Sequence, residues 1–360
     1  MGEGARALLA AYADPEVIEV LINDDGSVFL EKPGAGLLPQ AYRAGAADVA
    51  AFLAAILGRA ETFGPARPYA DLSAQDGSRV HVIAPPLVRG GLCVTVRKRP
   101  GRRPHLGELV RGGTLTSGCA SFLEYAVAQR RNILIIGGAS SGKTTLLNAL
   151  ASFIPADQRI IALEDTPEMT LPQPHVMYLR ARARDSGGLP DVTLRELLAN
   201  TLRMRPDRII VGEVRGPEAF DMLQAMNVGH DGVMCTLHAN STREGLQRLE
   251  NLVLAAGLDL PLRAVRSSIA LAVDLVVTVS RLADGSRRVA QVTELTGMEV
   301  ETITLSDLFL METRKTPGGL GFSLRATGAM PRFYDQLRRQ GVETPLGFFQ
   351  DPGPQPESYS

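Results

Sequence analysis

Short apolar runs rich in β-branched residues, each bounded by turn residues, occupy the first hundred positions. Val17 to Ile22, the turn Asn23-Asp24-Asp25-Gly26 and Val28-Phe29-Leu30 predict a hairpin, because Asn, Asp and Gly tolerate the backbone of a tight reversal. Tyr69 to Leu72, Gln75-Asp76-Gly77-Ser78 and Arg79 to Ala84 predict a second hairpin, closed by Pro85-Pro86. Leu92 to Val96 predicts a further strand. Ala46 to Leu57 has helical spacing. Residues 1–99 are therefore expected to form a small α+β domain. A linker at 100–105 follows, since Pro and Gly interrupt regular structure and the flanking Arg residues keep it solvated.

From Leu106 the pattern becomes α/β. After the apolar strand Ile133 to Ile136, Arg159 to Leu163 and Arg208 to Val211 are short apolar runs with β-branched residues bounded by charges, as in buried parallel strands, and Cys235 to His238 and Leu275 to Val279 are expected to supply more strands. Helical spacing appears between them, at Phe122 to Gln129, Leu194 to Arg203, Ala219 to Met226, Glu244 to Leu254 and Pro261 to Ala270. Alternation of this kind predicts a mostly parallel sheet covered on both faces, here over 106–310. Residues 287–310 read as a hairpin plus a short helix. Residues 311–360 read as a C-terminal extension with a helix near Arg332 to Gln340 and a disordered tail from Asp351.

Composition narrows the function classes. The 360 residues are 45% hydrophobic and 21% charged with a formal charge of −1, so no global basic field draws the chain to nucleic acid or anionic lipid. Cys93, Cys119 and Cys235 are far apart and suit a reducing cytosol better than a disulfide framework. Ala7 to Ala13 is too short an apolar stretch for a signal core, with Glu3 and Asp14 flanking it. The best candidate for a membrane span, Ile269 to Val279, is interrupted by Asp274, so membrane association is expected through partners only.

The most specific chemistry is Gly137-Gly138-Ala139-Ser140-Ser141-Gly142-Lys143-Thr144, which fits G-x-x-x-x-G-K-[ST] between an apolar strand and a helix. Small residues there let several backbone N–H groups converge on a polyphosphate, and the helix N-terminus adds positive partial charge. Lys143 is expected on the β- and γ-phosphates of ATP, Thr144 on Mg²⁺, and Thr145 at the end of the same cradle.

Three later strands end in polar chemistry, where ligands sit in open α/β sheets. One delivers Glu164-Asp165 and Glu168, the next Gly212-Glu213-Val214-Arg215, the third Thr236-Leu237-His238-Ala239-Asn240. A single carboxylate after a strand is often a solvated strand end or a cap; three beside a phosphate loop fit hydrolysis. Glu213 is the first choice for the base that orients and deprotonates water, and, with Gly212 at the usual Asp position, also for the metal shell. Glu164 and Asp165 follow for water or Mg²⁺, and His238 for sensing the γ-phosphate. Arginines at 180, 182, 184, 195, 203, 205 and 208 lack obvious acidic partners in sequence, which motivates a finger acting on a neighbouring subunit.

These residues resemble the CpaF-type ATPases of Tad/Flp pilus assembly, within the type II/type IV secretion ATPase superfamily. The similar runs are Asn132 to Leu150, Glu164 to Glu168 with Gln173 to Val176, Leu202 to Gly216, Met222 to Asn240, Arg281 with Asp284 to Arg287, and Glu294 with Gly297 to Glu299. The resemblance implies a RecA-like P-loop NTPase domain after a smaller α+β domain, and a ring hexamer at the cytoplasmic face of the inner membrane. It implies ATP between the domains and membrane-embedded platform proteins as partners. In family terms Glu164, Asp165 and Glu168 fall in an Asp box, Glu213 in Walker B and His238 in a His box, while Arg97 and Arg203 match arginines that approach phosphates. Ala139-Ser140 departs from the Thr-Gly of many relatives, and Arg180 stands where Glu is usual. Two other classes share the phosphate loop: a DNA-translocating ATPase, against which stand 5% aromatics and no Trp, and a nucleotide-gated scaffold without turnover, against which stands Glu213.

Overall fold

A computed structural model of the chain describes residues 2–32, 35–99, 104–182, 190–282, 284–316 and 319–350. Residues 100–103 of the expected linker, Arg184, Asp185 and the tail 351–360 lie outside the described residues. Two compact units emerge, one of residues 1–102 with 166–168 and one of 103–165 with 169–360.

In the first unit a six-stranded antiparallel sheet forms from β1 (Glu19–Ile22), β2 (Ser27–Lys32), β3 (Gly36–Arg43), β4 (Tyr69–Ser73), β5 (Arg79–Ile83) and β6 (Cys93–Arg97). Their order is β3-β2-β1-β6-β5-β4. Inward positions alternate, with Val20, Ile22, Val28, Leu30, Val80, Val82, Val94 and Val96 buried. That face packs with Leu8 of helix α1 (Glu3–Ala13) and with Phe52, Leu53 and Ile56 of α2 (Ala46–Leu57). Both expected hairpins are present, and β3 is an addition. It contains Pro39, which lacks an N–H, and it is tolerated because β3 is an edge strand.

The second unit begins with α3 (Leu106–Arg111), α4 (Ser117–Ala128), β7 (Ile133–Gly137), α5 (Lys143–Ala151), β8 (Ile160–Glu164) and β9 (Val176–Arg180). It continues with α6 (Leu194–Thr201), β10 (Arg208–Val211), α7 (Glu218–Asn227), β11 (Met234–His238), α8 (Thr242–Leu254), α9 (Leu262–Ala272) and β12 (Leu275–Arg281). Last come β13 (Arg287–Glu299), β14 (Thr302–Thr316), β15 (Gly319–Ala326), α10 (Phe333–Arg339) and a 3-10 turn, Gly347–Phe349. The sheet order is β15-β14-β13-β12-β7-β11-β10-β8-β9; β12 through β9 run parallel, and the other three are antiparallel additions.

Burial on both faces explains the uniformly apolar strands. Ile133 and Ile135 pack with Phe122, Leu123, Leu147 and Leu150 of α4 and α5; Leu134 and Ile136 pack the other way with Met222, Leu249 and Ile269 of α7, α8 and α9. Helix α4 starts five residues before the expected Phe122, because Thr116 accepts from the Cys119 amide and caps it.

The short helix expected inside 287–310 is corrected: β14 runs straight through it. Leu308 to Met311 is an apolar run that fits either period, and β13 and β15 pair with β14 on its two sides, which makes it a strand. Residues beyond 311 extend this sheet and close its core, with the Phe349 ring 5.2 Å from Phe122 and the Phe333 ring 6.2 Å from it. The helix expected near 332–340 is α10.

Candidate active site

The phosphate-loop sequence spans the turn from β7 to α5, at the carboxyl end of the parallel strands. Three of its conformations depend on residue size. A Cβ on Gly137 would lie 2.3 Å from both Ser141 Oγ and Val279 O, so nothing larger than glycine fits. Gly142, with φ +98°, turns the chain into α5. Ser140 also lies in the left-handed region, at φ +55°, a conformation that glycine adopts more readily than serine.

Lys143 is buried, and its ammonium donates to the carbonyl oxygens of Gly137 at 3.0 Å and Gly138 at 2.8 Å. The loop thus supplies the lysine with oxygen acceptors that phosphate oxygens can replace. Behind it Asn148 ties the helix to the region after β8, donating to Thr144 O at 2.8 Å and accepting from the Thr170 amide at 2.8 Å.

Beside β7 the parallel strands bring the polar ends together. His238 pairs in register with Gly137, the first residue of the loop motif, and its side chain is half-buried. Thr236 Oγ1 donates to Gly212 O at 2.6 Å, and the Val214 amide to Thr236 O at 2.9 Å, which fixes the backbone on both sides of Glu213. Glu164 ends β8, is 4% exposed, and accepts from the Met169 amide at 2.7 Å. A Cβ on Gly212 would stand 3.4 Å from Glu164 Cγ; the missing side chain at the usual Asp position leaves room for the Glu164 side chain.

Two residues went unassigned in the sequence reading. Arg215 donates to Asp165 Oδ2 at 3.0 Å and to Glu213 Oε2 at 2.5 Å, so one guanidinium holds carboxylates from two strand ends. Its position two residues after Glu213 was the available signal. Asn240 is the other: its Oδ1 lies 3.3 Å from where a Gly138 Cβ would be, and its amide donates to Glu244 Oε2 at 2.9 Å.

The arginines divide. Arg195 pairs with Asp221 at 2.8 Å, and Arg208 is buried, donating to Gln158 Oε1 at 2.7 Å and Val127 O at 2.6 Å. Burial pushes the Arg208 guanidinium down to about 10, with Arg130 adding to the effect. Sequence gave no acid for either, yet each has its partner within the chain. Arg203 is exposed in the turn between α6 and β10 and has no hydrogen bond or ion pair among the described residues through its side chain. That turn precedes β10 and lies at the amino ends of the strands, so within one chain Arg203 stands at the opposite end of the sheet from the loop. Arg97 belongs to the first unit, where it ends β6 with its Nε 3.7 Å from Glu19 Oε1; Glu168 falls in the segment grouped with that unit.

The Thr144 hydroxyl and the Glu213 and Asp165 carboxylates are hard oxygen donors. Among the described residues no group of three His, Cys, Asp or Glu forms a cage for a metal. Hard oxygen donors suit Mg²⁺, which is commonly held by one or two protein oxygens together with water and substrate phosphate.

The family model described as Type II/IV secretion system protein matches residues 72–306. The conjugal transfer protein TrbB of Rhizobium radiobacter is 35% identical over 294 residues, covering 81% of this chain and 87% of that protein. The type IV secretion system protein VirB11 of Brucella suis is 33% identical over 310 residues, covering 76% and 84%. A Mycobacterium tuberculosis protein whose description assigns it to conjugal transfer is 38% identical over 229 residues; the match spans 63% of this chain and 64% of that relative's length. Among solved structures, the Legionella pneumophila ATPase DotB superposes with a TM-score of 0.57 at 20% identity over 79% of this chain and 78% of its own. The pilus retraction motor PilT does so with 0.56 at 16% identity over 98% and 97%, and both share the fold.

Proposed function

The chain belongs to the family of type II/IV secretion system proteins, and from that premise we propose that it hydrolyses ATP with Mg²⁺ as a ring-forming motor. The ring is a homo-hexamer at the cytoplasmic face of the inner membrane. It works on membrane-embedded platform proteins and powers assembly of a Tad/Flp, type IV-like pilus or protein secretion. Among the described residues no helix is long and apolar enough to cross a membrane. The observation that carries the reading is the strand order β7-β11-β10-β8, which sets the phosphate loop, His238, Glu213 and Glu164 on successive neighbouring strand ends.

The chain's own groups account for the reaction. Backbone amides from Gly137 to Thr145 and the N-terminus of α5 bind the phosphates, and Lys143 exchanges its two loop carbonyls for β- and γ-oxygens. Glu213 orients the attacking water and accepts its proton, with Glu164 in support, while His238 contacts the γ-phosphate side. Thr144, Glu213 and Asp165 would hold Mg²⁺, which when bound would supply positive charge to the phosphate oxygens. Arg203 and Arg97 are assigned to phosphate contacts, Arg97 on the nucleotide bound by the following domain and Arg203 in the assembled ring.

Purified protein is expected to hydrolyse ATP only with Mg²⁺. Glu213→Gln should keep nucleotide affinity and lose turnover by about 10²-fold or more, the scale of a lost general base; Lys143→Ala should lose binding and turnover together. Unchanged hydrolysis in Glu213→Gln removes the base assignment. The names of the Rhizobium and Mycobacterium relatives favour a second reading, a DNA-translocating ATPase of a conjugation-type system. It requires turnover stimulated by DNA and steeply weakened by salt, which the pilus or secretion motor does not.

A further inference from the structure

The amino ends of the parallel strands, opposite the phosphate loop, hold a charge that the chain itself does not balance. Arg208 opens β10 and is 1% exposed. Its Nε and Nη2 donate to Gln158 Oε1 and Val127 O, but Nη1 is buried without a hydrogen-bond partner. Among the described residues no carboxylate forms an ion pair with it. A buried cation is costly unless an anion answers it. Just before β8, the Nε of Arg159 is likewise buried and unpaired, while its Nη1 donates to His175 Nε2 at 2.7 Å.

These groups belong to one surface. A Cβ on Gly232 would lie 1.9 Å from Arg208 Nη1 and 3.2 Å from Arg130 Cα, so Arg208 reaches under the turn before β11 to the turn before β7. The Arg159 carbonyl accepts from the amides of Asp207 at 2.9 Å and Arg208 at 3.0 Å, and Asp207 Oδ2 accepts from the Arg159 amide at 2.8 Å. Asn132 Oδ1 accepts from the amides of Gly232 and Val233, each at 2.9 Å. The turns are therefore fixed to one another before anything binds, which lowers the cost of binding.

Two further arginines on this surface take a backbone conformation that suits glycine. Arg130 follows α4 with φ +54°, and Arg205 lies between α6 and β10 with φ +53°. Glycine commonly ends a helix in this region, because a Cβ is strained there. Both arginines are exposed, and neither has a hydrogen bond or ion pair through its side chain among the described residues. The chain thus carries a long cation at two positions where the backbone favours none, and gives neither an internal partner.

We infer that this surface docks an acidic segment of a partner protein, whose carboxylates pair with Arg130 and Arg205 above the buried Arg208. The planar fork of a guanidinium matches a carboxylate bidentately. Nucleic acid fits less well. Asp157, Asp207 and Asp231 stand in the same turns and would repel a continuous phosphate backbone, and residues 129–132, 155–159, 203–208 and 230–232 contain no aromatic ring on which bases could stack. Docking at this end of the strands leaves the phosphate loop open.

The test titrates the full chain into fluorescein-labelled decaglutamate, with decaglutamine as the uncharged control, and reads anisotropy at low and high salt. Wild-type protein should bind decaglutamate alone, and more weakly as salt rises. Arg130→Gly and Arg205→Gly should each weaken that binding about tenfold, the loss of one charge-assisted contact. Their melting temperatures should not fall, since relief of strain offsets the freedom glycine adds to the unfolded chain, and ATP hydrolysis without the peptide should be unchanged. Wild-type protein that ignores decaglutamate, or variants that bind it as well as wild type does, overturns the inference. So does a single-stranded oligonucleotide of equal charge that binds more tightly and is lost in the same variants, which would make the ligand nucleic acid. Loss of self-association in those variants by light scattering would assign the surface to another copy of this chain, and overturns the inference as well.

Discussion

Arg215 does at the residue scale what no single carboxylate can: it holds Glu213 and Asp165 in one arrangement through two charge-assisted hydrogen bonds. It is half exposed, so the ion pairs themselves add little to stability, and its value lies in aiming the base. Arg215→Ala is expected to lower kcat about 10- to 100-fold, the usual cost of removing a group that orients a catalytic one, with ATP affinity nearly intact. Steady-state kinetics checks this, and a loss confined to KM would show that Arg215 serves binding instead. Gly212 and Ser140 show the same scale from the other side. Both depart from the common pattern, and each has a steric consequence: room for Glu164 in one case, a left-handed serine in the other. Neither consequence was legible in the sequence, since it depends on a neighbour more than forty residues away or on a dihedral angle.

At the scale of elements, Glu294 of β13 joins the late helix to the sheet. It is 3% exposed and accepts from the amides of Arg332 at 2.8 Å and Phe333 at 3.1 Å, satisfying donors at the start of α10. Burial pushes its carboxyl above the ordinary value of 4.5, and nearby Asp274 adds to that, while the two amides and Arg332 pull the other way. An acid raised in the folded state binds its proton more tightly there than in the unfolded chain. Its contribution is therefore present in full below the ordinary value and is lost as pH rises through the raised one. Glu294→Ala should cost about 1–3 kcal/mol by leaving buried amides unpaired. Glu294→Gln should flatten the decline of stability just above pH 4.5. Urea midpoints measured across pH test both, and an unaltered slope in the Gln variant would exclude Glu294 as its source. The sequence showed a helix near 332–340 but not its anchor, because cap and helix are 38 residues apart.

For the whole molecule the decisive position is Arg203. Within one chain it lies at the amino ends of the strands, away from the loop, so any contact with phosphate must come from another copy. Light scattering with an ATP analogue should give a multiple of 38.6 kDa consistent with six chains. Arg203→Ala should assemble equally and lose about 10³-fold in hydrolysis, the scale of an arginine finger. A monomer at every concentration would remove the role of Arg203 in trans.

The sequence by itself determined what is contiguous. The loop from Gly137 to Thr144 carries its glycines, lysine and threonine within one strand, turn and helix, and the uniformly apolar strands announce their burial on both faces. It also placed Glu164, Glu213 and His238 at strand ends, because the apolar runs stop just before them. Only the tertiary structure decided which ends are neighbours. β7, from Ile133, pairs with residues 234–238 and 275–279, both far along the chain, and no local pattern records their order. From that order follow the side of the loop on which the carboxylates gather and the Arg215 bridge. Strand pairing is a long-range choice made by packing two faces at once, whereas a phosphate loop is a local solution to binding charge with backbone amides.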